Sequence, residues 1–95
     1  MRKYELTVIF APVLRDEGLS KAVANVEALV KKLKGKVVDK SHEGKQSFSY
    51  PIAKYHEGIY VFWNLELPSM VAPEFEDGLK HQKGVLRQLL VRIDK

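Results

Sequence analysis

The feature that most constrains the fold is a strict alternation of side chains over residues 59–67. Every second residue is large and apolar, namely Ile59, Val61, Trp63, Leu65 and Leu67. The residues between them are Tyr60, Phe62, Asn64 and Glu66. Because successive side chains of a strand point to opposite faces, this period predicts a strand with one core face. Its other face mixes aromatic and polar groups, as expected of a half-exposed sheet surface that meets a partner.

The residues before this strand predict a hairpin. Residues 50–52 form a short apolar run, and residues 55–58 read as a polar tip that carries Gly58. Two apolar runs separated by such a tip are typical of a hairpin with a loop of several residues. Pro51 has no amide proton, so we expect its strand to lie at a sheet edge or to end there.

Two further segments complete the first half of the chain. Residues 4–10 are rich in strand formers, with Tyr4 and Phe10 on the same face. Residues 19–33 have helical apolar spacing, with Asp16 as the expected N-cap and Gly35 at the expected left-handed cap. Residues 37–52 then predict a strand with a bulge near Gly44.

The second half of the chain predicts a shorter helix and a final strand. Ser69 is the expected N-cap of a helix with Met70, Phe75 and Leu79 on its apolar face. Gly84 ends that helix, and residues 85–93 predict the last strand. The order β-α-β-β-α-β indicates an α+β, ferredoxin-like split fold with a four-stranded antiparallel sheet and two helices on one face. The chain of 95 residues is expected to be one domain, 1–95.

This topology leaves one face of the sheet without helices, which we call the open face. Strand parity puts eight residues on it: Thr7, Ile9, Tyr60, Phe62, Asn64, Arg87, Leu89 and Val91. The formal charge of +4 favours an anionic partner, with nucleic acid as the first candidate. Exposed aromatic side chains can stack on unpaired bases, form the apolar centre of a protein interface or simply decorate an exposed sheet. We favour a protein interface for the apolar residues and RNA for the surrounding cations.

Several short segments carry a resemblance to a known family. They are Met1-Arg2-Lys3-Tyr4-Glu5, Tyr50-Pro51-Ile52-Ala53-Lys54, Tyr60 with Asn64-Leu65-Glu66 and Pro68, and Val85-Leu86-Arg87 with Leu90-Val91-Arg92. At these spacings, and over essentially the whole chain, they resemble the bacterial small-subunit ribosomal protein S six family. One departure is that Gln46 and Ser47 stand where members usually carry a basic pair.

The resemblance implies a non-enzymatic component of the cytoplasmic ribosome, without a cofactor. It implies that the protein pairs with ribosomal protein S eighteen as a heterodimer, and that the pair binds the central domain of small-subunit ribosomal RNA. The RNA-binding residues expected from it are Arg2, Lys3, Lys54, Arg87 and Arg92. Those expected at the protein partner are Tyr4, Ile9, Tyr60, Phe62, Asn64, Leu89 and Val91.

Two other classes of function fit the sequence less well. A free-standing single-stranded RNA-binding module of the recognition-motif type shares the fold, but the first strand offers Thr7 and Ile9 on the open face where that family has an aromatic. An acylphosphatase-like enzyme would need a phosphate cradle around Arg15, and none is recognisable, so Arg15 is expected to be a surface residue. His42, His56 and His81 lack metal-ligand spacing. No apolar run approaches the roughly 18 residues of a membrane span, so no membrane partner is expected.

Overall fold

The computed structural model describes residues 1–14 and 16–93, so Arg15 lies outside the described residues. The elements are β1 (Arg2–Phe10), α1 (Glu17–Lys32), β2 (Lys36–Ile52), β3 (Tyr55–Leu67), a 3-10 turn (Ser69–Val71), α2 (Ala72–Lys80) and β4 (Val85–Arg92). The strands form one antiparallel sheet in the order β2-β3-β1-β4. The predicted ferredoxin-like architecture is therefore confirmed.

The core lies between the sheet and the two helices. Leu6, Val8 and Phe10 of β1 are fully buried, and the predicted inward residues of β3 lie beside them. Val26 and Val30 of α1 complete this packing and have no exposed surface.

Phe75 and Leu79 from α2 join the same cluster, and the rings of Phe10 and Trp63 meet edge to face at 6.5 Å. Burial of each large side chain stabilises the fold by roughly 1.5–3 kcal/mol.

The hairpin between β2 and β3 turns more tightly than predicted. Its loop is only Ala53-Lys54, both with positive φ of 50° and 74°, which is typical of a type I′ turn. Ile52 pairs directly with Tyr55, so the expected polar tip, residues 55–58, is part of β3. The prediction was wrong because this turn normally carries asparagine or glycine, and neither occurs here. β2 lies at the sheet edge, which suits Pro51, and its predicted bulge near Gly44 is confirmed.

The helix ends also differ from the sequence expectations. Asp16 precedes α1 but makes no side-chain capping hydrogen bond. Lys34, with φ 69°, takes the left-handed position expected for Gly35. The amides of these two residues bond to Lys31 and Val30 in a Schellman motif. Gly35 is required for another reason: a Cβ there would lie 2.7 Å from the carbonyl oxygen of Glu66.

The second helix begins later than predicted. Ser69 starts a 3-10 turn and makes no side-chain capping bond, and the α-helical part begins only at Ala72. Met70 therefore falls outside the apolar stripe of α2 and is 86% exposed. Gly78 permits close helix packing, since a Cβ there would lie 2.8 Å from Cδ2 of Leu29.

Candidate nucleic-acid and protein interface

The open face of the sheet carries the residues that strand parity assigned to it. Across its centre, Phe62 of β3 and Leu89 of β4 both pair with Thr7 of β1. Leu89 and Val91 are large apolar residues that remain 59% and 44% exposed. Exposed large apolar side chains at neighbouring positions of one face are unusual for a surface that contacts only water, and they indicate an interaction site. We call Leu89 and Val91 the apolar row.

Two residues predicted at the partner interface are largely covered. Tyr4 points into the core between sheet and helices and is only 6% exposed, so its side chain leaves little surface for a partner to contact. Its position on the core side follows from the same alternation that buries Leu6 and Val8. Ile9 does lie on the open face, but it is only 7% exposed because the long hairpin covers it.

The five predicted RNA-binding cations fall into two groups. Arg2 and Lys3 begin β1, and Arg92 pairs with the next residue, Tyr4, so these three cations lie at one end of the sheet. Lys54 lies on the hairpin turn, and Arg87 pairs with Ile9 near the opposite end. All five are exposed. The fold therefore gathers these cations into two groups at opposite ends of the sheet. Their positions in the sequence alone do not show this grouping.

One lateral part of the open face is acidic, and the sequence pattern alone does not reveal it. Glu5, Asp39 and Glu43 line a shallow groove of about 330 Å³ together with Phe62 and Asn64. The register explains the grouping, because Asn64 pairs with both Glu5 and Asp39. Lys40 also lines the groove, so its lining carries three carboxylates and one ammonium group. In a chain of formal charge +4, this local excess of negative charge beside a partly exposed aromatic ring favours a basic partner.

The hairpin extends beyond the end of β1 and folds over the open face. The pairs Ser47–Glu57 and Ile52–Tyr55 leave four residues of β2 opposite a single residue of β3. Gly58 provides the space beneath this irregular segment, since a Cβ there would lie 2.8 Å from Cζ of Phe48. Phe48 was not among the predicted site residues. Its alternation with Tyr50 in the sequence was nevertheless a signal that the two side chains lie on the same side of the strand.

The resulting aromatic cluster joins the hairpin to the centre of the open face. The ring centroids of Phe48 and Tyr60 are 6.2 Å apart, and those of Tyr60 and Phe62 are 6.3 Å apart. All three side chains are partly exposed. The aromatics therefore form a continuous row that runs from the hairpin segment to the acidic groove.

On the opposite side of the sheet, Trp63, Glu27 and Lys40 form a polar contact that supports β3. The indole N–H of Trp63 donates to Glu27 at 2.9 Å, and Nζ of Lys40 lies 3.1 Å from the same carboxylate oxygen. Burial acts to raise the pKa of Glu27, but the hydrogen bonds from Trp63 and Lys40 and the positive charges of Lys40 and Lys31 together outweigh it, and the pKa is lowered. The contact orients β3 beneath the aromatic row.

Other chemistry receives little support from the described residues. His42, His56 and His81 are exposed and lie in separate segments. Over residues 1–14 and 16–93, no group of three or more histidine, aspartate or glutamate side chains is placed to hold a metal ion. Within the same ranges, no helix is both long and apolar enough to cross a membrane.

Comparison with known proteins places this geometry in a family. Residues 3–92 match the family model described as "Ribosomal protein S6". The chain is 33% identical to the small ribosomal subunit protein bS6 of Dictyoglomus turgidum, with 100% of this chain and 98% of that protein covered. It is 36% identical to bS6 of Corynebacterium efficiens, with both chains covered completely.

A solved structure shows the same relationship in three dimensions. The crystal structure of 30S ribosomal protein S6 from Thermotoga maritima superposes with a TM-score of 0.89 at 26% identity, covering 97% of this chain and 87% of that one. The sequence matches over the full chain and the structural superposition point to the same family. This chain therefore belongs to the ribosomal protein S6 family of the small ribosomal subunit.

Proposed function

We propose that this protein is a structural, non-catalytic constituent of the cytoplasmic small ribosomal subunit that binds the central domain of small-subunit ribosomal RNA together with ribosomal protein S eighteen. Family membership supports the ribosomal part of this proposal. The arrangement of apolar and charged groups on the open face supports the two-partner part. No small-molecule substrate or cofactor is part of the proposed role.

The observation that carries the proposal is the exposed apolar row next to the acidic groove. Leu89 and Val91 remain 59% and 44% exposed in the folded chain, so packing within the described residues does not account for their apolar character. Glu5 pairs with Val91 and joins this row to the acidic groove, whose other two carboxylates, Asp39 and Glu43, lie on β2 at the far edge of the sheet. An apolar centre with a charged rim is the usual composition of a specific protein interface, and this rim fits a basic protein.

The cations at the two ends of the sheet fit the second partner, RNA. Lysine and arginine side chains neutralise phosphates and release counterions, so their contribution depends strongly on salt. Lys54 and Arg87 lie near the hairpin, away from the acidic groove. Protein contacts at the acidic groove and RNA contacts at the hairpin end would thus use different parts of the molecule, whereas Lys3, at the other basic end, lines a shallow cavity together with Glu5.

The test is retention of a central-domain ribosomal RNA fragment on a filter at two salt concentrations, with and without ribosomal protein S eighteen. We expect tight, salt-dependent binding only when both proteins are present. Equally tight binding by this chain alone would contradict partner dependence and favour the single-stranded RNA-binding module. Absence of binding by the pair would contradict the RNA-binding role altogether.

A pair of matched substitutions tests the open face in the same assay. Leu89→Asp places a charge in the exposed apolar row, and we expect it to abolish the gain in RNA affinity that the partner provides. Val13→Asp makes the same change at a residue that is 67% exposed and lies between β1 and α1. The Val13 variant is expected to behave like the unmodified protein, and equal effects of both variants would contradict a specific role for the open face.

A further inference from the structure

The hairpin segment that folds over the open face encloses a cleft distinct from the acidic groove. The cleft has a volume of about 240 Å³ and lies between residues 47–52 of β2 and the sheet. Its floor contains Ile9 and Tyr60, and Arg87 lines its rim. Irregular strand segments of this kind often re-aim side chains next to functional sites. Here the irregularity brings Phe48 over Gly58 and towards Tyr60.

The lining of the cleft is aromatic, hydroxylated and cationic. Phe48 and Tyr60 supply two rings, Ser47 and Ser49 supply hydroxyl groups, and Arg87 supplies a guanidinium group. No carboxylate is among its described lining residues. The acidic groove at Phe62 has the opposite charge. The two ends of the aromatic row therefore suit ligands of different chemistry.

The register determines how a ligand can span the cleft. Tyr60 and Arg87 both pair with Ile9, from opposite sides of β1. Their backbones are therefore two strand spacings apart, roughly 10 Å. The long side chain of Arg87 can cross part of that distance. A ligand with a planar ring stacked on Tyr60 and a negative group bound to Arg87 would span this distance.

We propose that the cleft binds one unpaired nucleotide of RNA, with its base against Tyr60 and Phe48 and its phosphate at Arg87. This proposal deepens the proposed function and rests on it. Serine hydroxyls can bond to base edges, and bases of any sequence can stack on aromatic rings. The volume lies below the roughly 300–1,000 Å³ of pockets for larger organic ligands, which suits a single base. Tyr60 was expected to contact the protein partner, and this proposal assigns it to the RNA contacts instead.

The first test measures RNA affinity with ribosomal protein S eighteen at saturating concentration, and measures the affinity of the two proteins for one another separately. Tyr60→Leu keeps an apolar side chain of similar reach but removes the ring. We expect it to weaken RNA binding about 10-fold, within the range for loss of one stacked base, without changing partner affinity. Tyr55→Leu is the matched control: it makes the same change on the same strand, at a partly exposed residue that does not line the cleft, and it is expected to leave RNA affinity unchanged. Thermal unfolding checks that both variants fold.

The second test changes the charge of the cleft and none of its aromatic residues. Arg87→Gln is expected to reduce the slope of log affinity against log salt by about 0.7, the value for one contact to single-stranded nucleic acid. Lys21→Gln, at an exposed position of α1, is expected to leave the slope unchanged. Ultraviolet crosslinking should join RNA to the peptide that contains Phe48 and Tyr50.

The outcomes separate this proposal from the broader function. Full RNA affinity in both Tyr60→Leu and Arg87→Gln, with the partner saturating, would overturn the nucleotide site and leave the ribosomal role intact. Loss of partner affinity in Tyr60→Leu with normal RNA binding would also overturn it and assign the cleft to the protein partner. Failure of the unmodified protein pair to bind RNA would overturn both proposals.

Discussion

The indole N–H of Trp63 donates a 2.9 Å hydrogen bond to the carboxylate of Glu27, and this bond joins β3 to α1. The two residues are 36 positions apart in the chain, and Trp63 is otherwise buried in the core, 1% exposed. A buried indole N–H without a partner would destabilise the fold by roughly 1–3 kcal/mol. Glu27 therefore allows a large aromatic residue to fill the core beneath the open face.

This contact predicts a specific pH dependence of stability. Because the pKa of Glu27 is lowered on folding, its stabilising effect is complete above the usual value of 4.5 and is lost as the pH falls through the lowered value. We expect Glu27→Gln to reduce the free energy of unfolding at pH 7 by about 1 kcal/mol, since a neutral acceptor replaces a charged one. Its loss of stability between pH 5 and pH 3 should be shallower than that of the unmodified protein.

Urea unfolding at a series of pH values measures both effects. Glu17→Gln, on the same helix but away from Trp63, is the control for the loss of a negative charge. A Glu27→Gln variant whose stability falls with acid as steeply as that of the unmodified protein would contradict the role assigned to this carboxylate.

The packing of Gly35 predicts that alanine is not tolerated there. A Cβ at this position would lie 2.7 Å from the carbonyl oxygen of Glu66 and would also overlap the side chain of Leu67. We expect Gly35→Ala to lower the free energy of unfolding by about 2 kcal/mol, as measured by thermal or urea unfolding. Gly18→Ala, within α1, meets only Leu14 at 3.7 Å and should instead stabilise the protein by up to about 1 kcal/mol. Similar losses in both variants would show that steric overlap is not the cause.

The sequence was informative where a period repeats over many residues and uninformative where a single backbone conformation decides the structure. Alternation over residues 59–67 predicted the strand, its buried face and the residues of the open face correctly. The two-residue turn at Ala53-Lys54 and the left-handed Lys34 could not be predicted, because neither position carries the glycine or asparagine that usually indicates positive φ.

The candidate site shows the same division. Parity placed Phe62, Leu89 and Val91 on the open face, but parity cannot show that a hairpin covers Ile9. The acidic groove depends on pairing between β1, β2 and β3, which are far apart in the chain. Its grouping of Glu5 with Asp39 therefore emerges only from the three-dimensional register.

The strained hairpin turn predicts a stabilising substitution. Ala53 has φ 50°, a conformation that disfavours residues with a Cβ but is tolerated by asparagine. We expect Ala53→Asn to raise the free energy of unfolding by about 0.5–1 kcal/mol in urea unfolding. Ala24→Asn, at an exposed helical position of α1, should lower it by about 0.5 kcal/mol because asparagine is a poorer helix former. A loss of stability in Ala53→Asn would show that the turn does not adopt these angles in solution.

The acidic part of the open face predicts how charge reversal affects the protein partner. Glu5 is exposed, pairs across β1 with Asn64 and Val91, and lines the groove with Asp39. A basic partner is attracted by these carboxylates, so Glu5→Lys should replace an attraction by a repulsion and weaken binding of the proposed partner, ribosomal protein S eighteen, by about 10-fold at low salt. Calorimetry or fluorescence titration measures this affinity.

The comparison of Glu5→Lys with Glu17→Lys isolates the position of the charge from the net charge of the chain. Both variants change the formal charge by the same amount, but Glu17 lies at the start of α1, on the helical side of the sheet. Raising the salt concentration should bring the affinity of Glu5→Lys closer to that of the unmodified protein, because exposed charges are screened over roughly 10 Å at 0.1 M. Equal weakening by both variants would mean that net charge alone governs the association. Undiminished binding by Glu5→Lys would place the partner elsewhere on the molecule, and the exposed row of Leu89 and Val91 would then need another occupant.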